Sequence, residues 1–310
     1  MKSKPILLFF SLLLFITGAC NQHKEVEITT SSIDSTTHVE ENHPLPASLQ
    51  AYATVNGLRM YYEIHGTGEP LVLLHGGGST ITTSFGKILP FLAKKHKVIA
   101  VELQAHGHTA DRNRPTTFVQ DANDVTELLN QLHIEKADFF GFSNGGQTAM
   151  QLALLHPEKV RKLILTSMFY KREGTPAAFW QGMAMARFSD MPQVYKDEFL
   201  KINNDSTALL AMFNRDANRM RGFKDWKDED IRSITAPTLI VIGDQDLTRP
   251  EHAVEMHLLL PQSRLTILPG NHGSYMGEIM ASDPNSKVPE LFVAIVNEFL
   301  AEVDSTETKN

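Results

Sequence analysis

The sequence predicts an α/β fold: a mostly parallel central sheet flanked by helices, with a small helical cap. Three observations predict it. Short apolar runs recur between turn residues, as in strands buried on both faces. Apolar residues at helical spacing lie between and after those runs. Small, polar and titratable residues cluster just past the ends of the runs, where open parallel sheets bind ligands. Composition agrees. Of 310 residues, 42% are hydrophobic, enough for a sizeable core, and 8% are aromatic, which excludes wholesale disorder. A formal charge of −7 gives no broad basic field, so nucleic acid is not an expected partner. A single cysteine, Cys20, excludes an intrachain disulfide and a cysteine-rich zinc site.

The elements follow in order. Residues 1–19 read as a signal peptide: Lys2 and Lys4 precede an apolar run, Ile6 to Ile16, too short to span a bilayer as a helix. Thr17-Gly18-Ala19 then leads to Cys20, which resembles a bacterial lipobox, with Thr17 where leucine is usual. On that reading Cys20 carries lipid and anchors the chain to a membrane. Residues 20–50, rich in Ser, Thr, Glu and His, read as a disordered tether in which His23, His38 and His43 are solvated. Residues 51–302 form the main domain, and 303–310 a polar tail. Tyr52–Val55 and Arg59–Ile64, split by Asn56-Gly57, predict a hairpin. Buried strands are expected at Leu71–Leu74, Val98–Val101, Ala137–Phe142, Leu163–Leu165, Leu239–Ile242 and Leu265–Leu268. Helical stripes run through Val125, Leu128, Leu129 and Leu132, and through Val288, Leu291, Phe292, Ile295 and Phe299.

Four places carry chemistry. Gly141-Phe142-Ser143-Asn144-Gly145 joins a strand to the helical stretch Gln147–His156. A nucleophile on so sharp a turn needs strained backbone at the serine and small neighbours two residues to either side. His75-Gly76-Gly77-Gly78 follows the Leu71–Leu74 strand, and its glycines let backbone N–H groups approach an oxyanion. The N–H groups of Gly77 and Asn144 are the expected oxyanion hole, and His75 is expected to hold the loop by hydrogen bonds. No Walker A lysine or Gly-x-Gly-x-x-Gly accompanies these glycines. Gly243-Asp244-Gln245-Asp246 supplies two candidate carboxylates. Asp244 lies in the tight turn, where it would bond local backbone, so Asp246 is the expected partner of a histidine. Gly270-Asn271-His272-Gly273 supplies that histidine. His106-x-His108 with Asp111 nearby reads as loop hydrogen bonding rather than a metal site.

Serine, acid and histidine in the order 143, 246, 272 match one of the common serine triads. Together with Leu74-His75-Gly76-Gly77, the stretch Val101 to His108 and Gly270-Asn271-His272, they make the chain from Tyr52 to Glu302 resemble the α/β-hydrolase superfamily, in particular its serine hydrolases with a helical cap. Ala105, where glycine is usual, and Glu102, where aspartate is usual, depart from the pattern. The resemblance implies Ser143 as nucleophile, His272 as base and Asp246 as acid. It implies hydrolysis of a small carboxylic ester or related acyl bond, with no cofactor and no metal. Dehalogenases and epoxide hydrolases of this fold carry aspartate at the position of Ser143, which disfavours those activities. Carbon–carbon bond hydrolysis or perhydrolysis on the same triad remains open, as does a tethered binding protein without catalysis.

The cap is expected at about 168–236. Those 69 residues hold 10 of 25 aromatics and 6 of 12 methionines, roughly a two-fold enrichment, which suits either an apolar roof over the site or a small core of its own. Arg215, Arg219 and Arg221 read as a solvated helix face, with recognition of a substrate carboxylate as the alternative.

Overall fold

A computed structural model describes residues 49–281 and 283–302. The signal peptide, Cys20, the tether up to residue 48 and the tail 303–310 lie outside the described residues. The chain opens on a hairpin of β1 (Leu49–Val55) and β2 (Leu58–His65). Asn56 and Gly57 both have positive φ, 49° and 78°, the backbone that a two-residue hairpin turn requires. Leu49 and Gln50 already pair with Ile64 and Glu63, so strand replaces the expected tether two residues early.

Six further strands follow: β3 (Pro70–Leu74), β4 (Lys97–Val101), β5 (Ala137–Phe142), β6 (Val160–Thr166), β7 (Thr238–Gly243) and β8 (Ser263–Leu268). All six predicted runs are strands, extended by up to four residues. Their order is β1-β2-β4-β3-β5-β6-β7-β8. β1–β2 and β2–β4 are antiparallel, and the rest of the sheet is parallel.

Alternate strand residues supply two cores, as a period of two dictates. Phe139, Ile240 and Ile242 face one side, with α3 (Phe118–Gln131), α4 (Asn144–Leu155) and α9 (Pro250–Leu259). Phe140, Leu239 and Val241 face the other, with α1 (Ile81–Phe85), α2 (Leu89–Leu92) and α10 (Val288–Ala301). In α10 the buried face is carried by Phe292, Val293, Val296 and Phe299, whereas Leu291, expected on the stripe, is exposed. Leu291 stands on the exposed face with Glu290, Ala294 and Glu298, at the edge of the apolar stripe.

The chain runs from β3 outward to β4, then crosses back over β3 to β5. The resulting switch point, where Leu74 is in register with Gly141, places the glycine loop after β3 beside the serine turn after β5. Between β6 and β7 the chain leaves the sheet and builds α5 (Ala177–Met185), α6 (Gln193–Ile202), α7 (Ser206–Arg221) and α8 (Asp228–Arg232). The first three form the cap. They have small cores of their own, around Phe199, Leu209 and Met212 and around Phe169, Met220 and Phe223.

Candidate active site

Ser143 sits between β5 and α4 with φ 51° and ψ −120°, a conformation that L-residues avoid. Its neighbours make the bend possible. A Cβ on Gly141 would lie 2.2 Å from the Gly145 carbonyl oxygen, and one on Gly145 would lie 2.0 Å from that of Leu74. Any side chain at either place would push β3, β5 and α4 apart. The Ser143 carbonyl accepts from the N–H groups of Gly146 and Gln147, which fixes the first turn of α4 behind the serine. Ser143 itself is half-buried.

His272 and Asp246 come together across the ends of β7 and β8. His272 Nδ1 lies 2.7 Å from Asp246 Oδ1, and the Asp246 side chain is fully buried. The histidine ring packs against Phe142, the residue before the serine, with centroids 5.0 Å apart. Among the described residues no hydrogen bond joins Ser143 Oγ to His272; such contacts commonly tighten only when substrate binds. Burial pushes the Asp246 carboxyl up, but its bond to His272, the histidine's charge and the Ser167 hydroxyl outweigh this and hold it below the usual carboxylate range. The competing Asp244 is exposed and accepts from the N–H of Gly270 at 2.8 Å. It anchors the histidine loop from 26 residues away, where a local turn bond was expected.

Two supporting residues escaped the sequence reading. Ser167, one residue past β6 and with φ 50°, donates through Oγ to Asp246 Oδ2. Its Oγ also lies 2.7 Å from the buried Tyr275 hydroxyl, which donates to the Val241 carbonyl. The only signal in the sequence was a serine just past a strand end.

The glycine loop is held from below and above. His75 is buried; its Nε2 accepts from Leu103 N–H, which leaves Nδ1 to donate to the Gly76 carbonyl at 2.8 Å. Burial, then the nearby His106, pulls its pKa down to about 3, so it stays neutral and structural. Gly76 N–H donates to Ser84 Oγ, and Gly78 N–H donates to Asp216 Oδ2 at 2.6 Å. Between them the N–H of Gly77 meets no acceptor among the described residues, and neither does that of Asn144 at the head of α4. The Asn144 side chain lies directly against Gly77, so the two groups are neighbours. Two unpaired N–H groups beside a strained serine can donate to a developing oxyanion.

Asp216 belongs to α7 and ties the cap to the core. It accepts from His106 Nε2 at 2.9 Å and pairs with Arg219, which also pairs with Asp121 of α3. Arg219 is therefore a buried clamp, not part of the solvated face predicted for it; its partners lie 98 residues away and three residues away. Arg215 pairs with Asp111, and Arg221 donates to the carbonyls of Met183 and Ala186. His108 turns instead to Glu102, so His106 and His108 have separate carboxylate partners. Ala105, between Glu102 and these histidines, has φ 69°, which glycine would adopt without the roughly 1 kcal/mol strain an alanine bears.

Under the cap lies a cavity of about 500 Å³ that reaches Gly77 and Gly78. Phe179, Met183, Met191 and Phe213 give it apolar walls, and Tyr195 and Asp216 stand at its side. Trp180 is absent from this lining. It stacks on Phe223 and packs edge-on to Phe169 in the cap's own core. The cap thus has both a roof and a core: Phe179 and Met183 of α5 contribute to both, whereas Trp180 contributes to the core alone. A second cavity of about 610 Å³ lies between α3 and α7; Ser143, Asp246 and His272 line neither cavity, and of the two only the first reaches the candidate oxyanion hole, at Gly77.

Residues 69–206 match a family described as alpha/beta hydrolase fold. The chain is 26% identical to a 2-hydroxymuconate semialdehyde hydrolase of Pseudomonas sp. (strain CF600), over 80% of this chain and 93% of that protein. It is 27% identical to a serine hydrolase of Homo sapiens, BPHL, over 78% of this chain and 86% of that protein. Among solved structures, a thermophilic esterase from Thermogutta terrifontis superimposes with a TM-score of 0.63 at 22% identity, covering 81% of this chain and 98% of that one. The similar proteins include meta-cleavage product hydrolases and esterases, and also a protein of Bacillus subtilis described as a synthase and an acetyltransferase component of Pseudomonas putida.

Proposed function

The chain has the α/β-hydrolase fold, and from that premise we propose that it is a serine hydrolase cleaving a small carboxylic ester or related acyl bond. The observation that carries this reading is the 2.7 Å bond from Asp246 to His272, set beside a serine strained to φ 51°. His272 takes the proton of Ser143 through Nε2, while Asp246 keeps the other ring nitrogen protonated and stabilises the imidazolium. Ser143 Oγ attacks the carbonyl carbon, and the N–H groups of Gly77 and Asn144 hold the oxyanion. His272 then returns its proton to the leaving alcohol, and water releases the acyl group by the same route. A fluorophosphonate probe should label the folded parent at Ser143 and leave Ser143→Ala unlabelled. Folded parent that resists labelling would favour a binding protein instead. Carbon–carbon hydrolysis would use the same three residues, so product analysis separates it from ester cleavage.

The apolar walls of the cap cavity support a preference for acyl chains longer than acetyl. Each methylene buried adds about 0.8 kcal/mol, or about four-fold. For p-nitrophenyl esters, kcat/KM should rise from acetyl to butyryl or hexanoyl and then fall as the cavity fills. Phe179→Ala, which removes a wall, should flatten the rise. Trp180→Ala should keep the profile and cost on the order of 2 kcal/mol of stability, less than a fully buried ring because Trp180 is half-buried. A profile favouring acetate in the parent would sink the roof hypothesis.

The anchor is proposed on the sequence alone: a signal-like stretch that ends at the chain's one cysteine. Lipid on Cys20 would hold the enzyme at a bacterial membrane, facing the cell envelope. Cys20→Ser should move the protein from the membrane to the soluble fraction; a variant that still sediments with membranes would refute the lipid anchor.

A further inference from the structure

The cavity that reaches the unpaired Gly77 N–H has an unusual charge distribution. Two of its lining residues are carboxylates, Asp190 and Asp216, and no lysine, arginine or histidine lines it. Asp216 is the nearer to the chemistry. Its Oδ2 lies 3.3 Å from where a Cβ on Gly77 would stand, and it is fixed there by Gly78 N–H and His106. The cations that neutralise it, His106 and Arg219, do not line the cavity; Arg219 turns to Asp121 of α3. Burial pushes the Asp216 carboxyl up, but the charges of His106 and Arg219 overcome this and hold it ionised far below the usual carboxylate range. Asp190 pairs with the exposed Arg187, which lies outside the lining. The remaining polar side chain, Tyr195, donates its hydroxyl to Glu278, a third acid, at 2.6 Å.

An acyl group entering this cavity therefore meets apolar walls, acceptors that are already negative, and one free donor used by the oxyanion. A carboxylate on that group would shed its water and find no cation or hydroxyl to replace it. It would also face the Asp216 oxygens, which line the cavity while the cations that neutralise them do not. A neutral chain suffers neither penalty, and a cationic one gains a partner.

We propose that the cap cavity selects neutral or cationic acyl groups and rejects those carrying a carboxylate, with Asp216 as the specificity-determining residue. The inference rests on the serine hydrolase reading, and its test separates the two. Three p-nitrophenyl esters of matched length are compared on the purified parent: the hemisuccinate, its neutral methyl ester, and a trimethylammonium analogue. The hemisuccinate should show at least ten-fold lower kcat/KM than the methyl ester, and the trimethylammonium ester should equal or exceed the methyl ester. Asp216→Asn should narrow the gap between hemisuccinate and methyl ester to within about three-fold. The readout is a ratio on one protein preparation, so general loss of activity does not mimic it. Because Asp216 also clamps the cap, a second variant tests the same idea without touching the clamp. Gly182 lines the cavity from α5, and a Cβ there meets nothing within 4 Å. Gly182→Lys supplies the missing cation and should raise hemisuccinate cleavage relative to the methyl ester several-fold. A parent that cleaves hemisuccinate and methyl ester equally overturns the inference and leaves the hydrolase reading standing. Discrimination unchanged in both variants removes Asp216 from the role. A folded parent that cleaves none of the three and resists the fluorophosphonate overturns both.

Discussion

Ser143→Ala is expected to remove turnover of every ester the parent cleaves, a loss on the order of 10⁴-fold or more, with the fold intact. The substitution deletes only Oγ. The alanine keeps the φ of 51° at the cost serine already bears, because the strain belongs to the Cβ and backbone rather than the hydroxyl. Gly141 and Gly145 still let β5 and α4 approach, and the Ser143 carbonyl bonds to Gly146 and Gln147 do not involve the side chain. The thermal midpoint should therefore stay within a few degrees of the parent. His272→Ala should cost about as much, since neither residue acts without the other. A Ser143→Ala protein that retains a hundredth of parental kcat would show that another group attacks the ester.

Asp246→Asn should cost on the order of 10⁴-fold in kcat by favouring the wrong histidine tautomer. The carboxylate has two tasks. Oδ1 accepts from His272 Nδ1, and Oδ2 accepts from Ser167 Oγ and from Gly243 N–H at 3.3 Å. An asparagine has one acceptor oxygen. If that oxygen stays with Ser167 and Gly243, the amide NH₂ faces His272 and moves the ring proton to Nε2, where it blocks transfer from Ser143. Asp244→Asn should lose less than about ten-fold, because its carbonyl can still accept from Gly270 N–H. The two side chains sit two residues apart on one turn, so a comparison of their kcat values is a direct test. The assignment is reversed if Asp244→Asn is the more damaging.

Much of this arrangement was legible because it rests on local backbone rules. A glycine on each side of Ser143 announces a strand that turns into a helix too sharply for side chains, and the distances of 2.0–2.2 Å for added Cβ atoms give the physical cause. Strand cores at 137–142 and 239–242 were visible because residues buried on both faces are mostly apolar, the exception being Asp138, which is buried against Arg161. Of the two carboxylates, Asp246, further from the strand end, is the one that lies 2.7 Å from His272 Nδ1. Other features had no local signature. Arg219 looked like any arginine on a charged helix until Asp121 and Asp216 closed around it. Ser167 and Tyr275 became part of the Asp246 pocket only when the ends of β6 and β7 came side by side.

By itself, the sequence determined where the strands lie, three of the helices (α3, α4 and α10), which serine sits on a sharp turn, and that the candidate groups all follow strand ends. Those properties follow from steric limits and apolar periodicity within a dozen residues. The tertiary structure decided where the Asp246 and His272 side chains meet, which cap aromatics reach the cavity, and that Asp190 and Asp216 line it with no basic residue in the lining. Each of these depends on groups brought together from distant parts of the chain, where the deciding quantities are burial and the distance between charges. Neither is encoded at any one position.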